Sequence, residues 1–264
     1  MNLRAFAFFA WLAGAILAGS IVMPAQAAST RPAHAPGFES RVATLAQREV
    51  AEGRTPGMAI AVVRGGALVY SHGFGYANIA HHEQVTADTE FFAAGITRQF
   101  TAAAVLLLVQ DGKLRLDDKV GKYVPAALHV AADVNLGQLL TQTSGLPAPS
   151  GLTAPLDDFT RSVRAADLIA AVDQLKPAAP PGSVYADNPL NFLLAGMIVE
   201  NVSGEPLSDF LQQRIFVPLV MEHTFLAGDT GISPSVATGY TKAARGGPFE
   251  IAKPFDPAWL AGDR

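Results

Sequence analysis

Nucleophilic and metal-assisted chemistry each need particular side chains at particular spacings, and few in this chain meet that need. The 264 residues contain no Cys, which excludes thiol catalysis, zinc–thiolate sites, iron–sulfur clusters and disulfides. His72, His81, His82, His129 and His223 are scattered, and no H-x-x-x-H pair or G-x-S-x-G elbow occurs to make a metal site or a serine hydrolase turn. His81-His82 reads as a solvated loop, and no metal or other cofactor is expected. Ser144 lies in a turn-rich stretch, and Thr97 stands where a helix begins. Two short segments remain. Gly95-Ile96-Thr97-Arg98 opens a strongly apolar helix, and Tyr185-Ala186-Asp187-Asn188 precedes another.

The elements that must position these segments follow from periodicity and punctuation. Apolar residues at helical spacing mark a helix over 38–53, ended by Thr55-Pro56-Gly57. An apolar run over 58–63, Gly65-Gly66 and a second run over 67–70 predict a β-hairpin. The first strand is apolar throughout, so it is expected to be buried on both faces. Helices are predicted over 97–112, 136–140, 161–175, 191–202 and 207–215, with loops at 146–160 and around Pro177–Pro181. A lone hairpin is marginal, so the sheet reads as incomplete.

Half the residues are hydrophobic and 16% are charged, which argues against disorder along the whole chain. A net charge of -4 gives no footprint for nucleic acid. Residues 5–23 are apolar except for Ser20, follow Arg4 and precede Pro24-Ala25-Gln26-Ala27. That is the pattern of a signal peptide over 1–27, and the run is also just long enough to anchor in a bilayer if uncleaved. Residues 28–37 form a flexible leader before the domain at 38–264. Export places the protein in the periplasm or outside the cell, and a membrane is a partner only if the anchor stays.

Several blocks together resemble the serine β-lactamase-related family, which includes class C β-lactamases, D-alanyl-D-alanine carboxypeptidases and esterases. They are YSHGFGYANI, VTADTEFFAAGITRQFTAAAVLLLVQDGKLRLDDKVGKYVP, LGQLLTQTSGLP and NVSGEPLSDFLQQRIFVPLVMEHT, in family order across roughly residues 40–245. The resemblance implies an α+β fold, an antiparallel sheet flanked by helices plus an all-helical lobe, with the active site between them. On that frame residues 38–95 supply helix and hairpin, 96–225 the lobe, and 226–264 an irregular end short of the family's length.

The family's S-x-x-K falls on Gly95 and Arg98. Glycine has no side chain to acylate, and arginine does not deprotonate at useful pH, so neither family role can be filled. The Y-x-N motif falls on Tyr185 with Asp187 in the third position, and Asn188 one place later is the rival for the Asn role. An aspartate lining the cleft would repel a substrate carboxylate. No [KH]-[ST]-G triplet occurs. The expectation is a catalytically inactive member with a small-molecule or peptidoglycan-like ligand. The alternatives are an active hydrolase using an unconventional nucleophile, Thr97 or Ser144, and an envelope-anchored interaction protein.

Overall fold

The computed structural model describes residues 37–124, 129–148, 165–226, 235–244 and 246–253. The predicted signal peptide, most of the leader, the 149–160 part of the loop, the first turn of the 161–175 helix and residues 254–264 lie outside them.

Helix α1 (Phe38–Ala51) leads into β1 (Gly57–Arg64), β2 (Ala67–Asn78) and the short β3 (Glu83–Gln84), an antiparallel sheet in the order β1-β2-β3. The β1–β2 register pairs Met58 with Phe74, Ile60 with His72 and Val62 with Tyr70, and a bulge follows at Val62/Val63. Phe38 of α1 meets Tyr70 edge to face at 6.3 Å, so the helix covers the face that carries these side chains. The opposite face was expected to be buried as well, yet Ala59, Ala61, Val63 and Leu68 are exposed. One helix covers one face, and a continuous apolar run does not say how many layers enclose it.

Strand β2 runs eight residues beyond the predicted 67–70. Gly73 and Gly75 lie inside the strand and serve close approach. A Cβ on Gly73 would lie 2.1 Å from the carbonyl oxygen of Val85, and one on Gly75 2.3 Å from that of Pro56. The backbone of the neighbouring segment fills the space a side chain would take.

The helical lobe holds α2 (Arg98–Gln110), α3 (Leu136–Leu140), α4 (Ala165–Asp173), α5 (Pro189–Ser203) and α6 (Leu207–Leu211). Helix α2 begins after a 3-10 turn at Ala94–Thr97, and α6 ends early because Gln212–Phe216 forms a π-helical turn. Helix α5 is the centre of the lobe. It is apolar on all sides, and residues from Leu190 to Val199 are buried with the single exception of half-buried Met197, as expected of a helix enclosed by others. Asn188 caps it, Pro189 occupies its first turn, and Gly204 ends it at φ 81. Helix α3 carries a capping box between Asn135 and Gln138.

The segment after the lobe is more regular than expected. Its β4 (Tyr240–Thr241) and β5 (Glu250–Ile251) pair antiparallel. Val236 bridges Glu90, just before the 3-10 turn, and Thr238 N–H donates to the carbonyl of Ala77 at 2.9 Å. This return ties the chain leaving the lobe to the strand that feeds Gly95.

Candidate active site

Gly95 lies in the 3-10 turn and Arg98 is the first residue of α2, so a spacing of three sets them on one side of the helix start. A Cβ on Gly95 would meet nothing closer than the Arg98 guanidinium, at 3.9 Å from Nε. The position is exposed and open. Ala94 just before it holds a left-handed φ of 45, a conformation a non-glycine residue adopts at a cost of about 1–3 kcal/mol.

The second wall comes from the segment before α5. Asp187 Oδ1 accepts from Arg98 Nη1 at 2.5 Å and from Gln142 Nε2 at 3.0 Å. Arg98 also lies over the buried Phe192 ring, 5.6 Å from its centroid. A cation beside the positive end of a helix is unfavourable by about 0.3–1 kcal/mol, and Asp187 offsets both charges. Arg98 thus joins the start of α2, beside Gly95, to Asp187 on the segment before α5.

Asn188 does not join them. Its side chain is 2% exposed. Its Oδ1 accepts from Leu190 N–H at 3.0 Å, and its Nδ2 donates to the carbonyls of Leu146 and Pro147. Both ends of the amide serve the α5 cap and the loop packed on it, so Asp187 rather than Asn188 faces Arg98. Tyr185 stands on the same segment, 69% exposed, and among the described residues its hydroxyl makes no hydrogen bond.

Behind this surface lies a polar network with no motif of its own in the sequence. Gln142 Oε1 accepts from Asn188 N–H at 3.1 Å and from Asn191 Nδ2 at 2.5 Å. Asn191 Oδ1 accepts from Ser144 Oγ at 2.6 Å, and Ser144 Oγ accepts from Leu146 N–H at 3.2 Å. Gln142 holds a left-handed φ of 57. Ser144 is 3% exposed, and among the described residues its hydroxyl bonds only Asn191 and Leu146 N–H; it is a link in the network. Thr97 occupies the cap position of α2, but its side chain makes no capping bond. His129 lies on Asp173 at 3.0 Å, and His223 lies 3.8 Å from Glu90. Among the described residues no His, Asp and Glu gather as a metal site would require.

The Beta-lactamase family model matches residues 42–259. The chain belongs to the beta-lactamase family. It is 28% identical over 228 residues to Protein flp of Staphylococcus aureus (strain MRSA252), a match that takes in 84% of this chain and 44% of that protein. The chain therefore spans less than half the length of that relative. The D-amino acid amidase from Ochrobactrum anthropi SV3, solved with D-phenylalanine, superposes with a TM-score of 0.72 at 27% identity, covering 84% of this chain and 64% of the amidase. The octameric penicillin-binding protein homologue from Pyrococcus abyssi gives 0.69 at 26% identity, covering 84% and 55%. The β-lactamase/transpeptidase-like α+β fold expected from the sequence is thus the fold of this family member.

Proposed function

We propose that this chain is a non-acylating member of the beta-lactamase family, a pseudoenzyme that keeps a ligand cleft. One observation carries the reading. Where the family's nucleophile and base belong, Gly95 offers no side-chain atom, and Arg98 is a permanent cation held by Asp187 at 2.5 Å. A serine hydroxyl attacks once a neighbour removes its proton; Gly95 supplies no hydroxyl, and Arg98 cannot accept a proton. Ser144 is buried in its network, which supports the same reading. The apolar segment over 5–23 and the Ala25-Gln26-Ala27 site support export to the bacterial envelope, and a small molecule or peptidoglycan-like fragment is the ligand class proposed.

The test is incubation of the purified full chain with a fluorescent penicillin, followed by denaturing electrophoresis. No label is expected on the band, at any time up to hours. A covalent adduct that survives denaturation overturns the proposal, and its site, mapped by mass spectrometry, names the nucleophile.

A further inference from the structure

Resting on the reading that no acyl-enzyme forms at Gly95, we infer that the notch there is a reversible site for a ligand carrying a protonated primary amine on an apolar body, with Asp187 as the acceptor. Asp187 Oδ1 takes both Arg98 Nη1 and Gln142 Nε2. Among the described residues no donor reaches Oδ2, and the side chain is 61% exposed. A carboxylate oxygen prefers a charged donor over a neutral one and repels an anion.

Arg98 does not cancel this preference. Its guanidinium already donates to Oδ1 and stacks on Phe192, and its side chain is only 23% exposed. The more accessible charge at the notch is the negative one. Room for the ligand is given by Gly95, whose absent side chain leaves at least 3.9 Å to any neighbour of a Cβ. Exposed apolar side chains are near at hand in the chain, Phe92 and Ile96 beside Gly95 and Val184 and Tyr185 just before Asp187.

The acceptor is also held in place. Gln142 grips Asp187 with its amide nitrogen, while its amide oxygen is fixed by Asn188 N–H and Asn191. Ala94, next to Gly95, and Gln142, bonded to Asp187, both hold left-handed backbones. Strain retained around a site with no nucleophile fits a site still used for binding.

Two probes of nearly equal shape separate charge from apolar contact: 2-phenylethylamine and 3-phenylpropionate, titrated calorimetrically into the full chain at neutral pH. The amine is expected to bind at least about tenfold more tightly than the carboxylate, the scale of one hydrogen bond to a charged group. Asp187→Asn should weaken the amine by about tenfold or more and leave the carboxylate unweakened. Gly95→Leu should fill the notch and abolish amine binding with the thermal midpoint kept. Equal binding of the two probes, no binding of either, or an Asp187→Asn affinity within about twofold of the parent overturns the inference. A penicillin adduct would remove its premise, whereas loss of the amine preference in a protein that forms no adduct overturns the inference alone.

Discussion

Adding a methyl group at Gly95 is a small change with a diagnostic outcome. The backbone there is right-handed, since Gly95 is not among the positive-φ glycines, and the nearest neighbour of a Cβ is 3.9 Å away. Gly95→Ala should therefore stabilise the fold by about 0.4–1 kcal/mol through the entropy of the unfolded chain, read as a higher urea midpoint at unchanged m-value. Gly95→Ser should fit equally well and still give no penicillin adduct, because Arg98 cannot take the hydroxyl proton. A labelled serine variant would show that another base reaches the site. That Gly95 and Arg98 stand where the resemblance puts the family's S-x-x-K is legible in the sequence, since residue identity alone decides it. The choice between Asp187 and Asn188 was not settled by motif spacing. A local signal bore on it: Asn before Pro is a helix cap followed by its first turn, which commits Asn188 to α5 and frees Asp187 for the cleft. Gln142 left no such signal, because its role comes from a left-handed backbone and partners more than forty residues away in sequence.

Between the cleft and the lobe core, the elements are joined by buried polar groups that must all be satisfied together. Asn191→Ala leaves the Ser144 hydroxyl without its acceptor and removes one of the donors to Gln142 Oε1. Because Asn191 is fully buried, the expected loss is about 1–3 kcal/mol in chemical denaturation; a loss below about 0.5 kcal/mol would mean that water replaces the bonds. A second junction holds α3. Asp118 accepts from the Tyr123 hydroxyl at 2.5 Å, Arg115 N–H at 2.9 Å and Lys122 Nζ at 3.2 Å, while its carbonyl takes Leu136 N–H. The Tyr123 bond, helped by Arg115 and Lys122, holds the Asp118 carboxyl below its ordinary value against the opposing effect of burial. A depressed carboxyl stabilises the fold above its unfolded pKa of about 3.9 and loses that effect as pH falls through the folded value. Asp118→Asn should lower the melting temperature at pH 7, and the gap to the parent should close on acidification. A gap that stays constant to pH 2–3, below the unfolded value, would refute the assignment. The lobe helices were legible because their caps and periodicity are local, down to the bounds of Leu136–Leu140. The length of β2 was not, because Gly73 and Gly75 answer to Val85 and Pro56, contacts that exist only after folding.

At the scale of the whole molecule, burial is distributed unevenly. The main apolar cluster runs from Ala104 to Phe216 and draws every member from the lobe. The sheet side buries a handful of apolar side chains, among them Ala46, Val69, Phe74, Ala77 and Val85, and leaves Val63 and Leu68 exposed. Each fully buried Leu or Ile is worth about 1.5–3 kcal/mol, so the lobe holds the greater share of the stability. Among the described residues the links from the sheet side to the later part of the chain are polar: the backbone bonds of Glu90 with Ser235 and Ala237, the Thr238–Ala77 bond, Ile79 N–H to the Tyr240 hydroxyl, Lys242 to the Gly53 carbonyl, and His223 at 3.8 Å from Glu90, each of which contributes little net. Two levels of opening follow. Native-state hydrogen exchange should show α5 amides exchanging only through global unfolding. The β1–β2 amides should exchange through a partial opening at least about 1.4 kcal/mol easier, which is a tenfold larger open fraction. Stabilising the lobe by Gly95→Ala should then slow α5 exchange and leave β1–β2 exchange unchanged. Equal protection in the two regions would mean that sheet and lobe unfold as one unit, and these polar links would have to couple them far more strongly than such bonds ordinarily do.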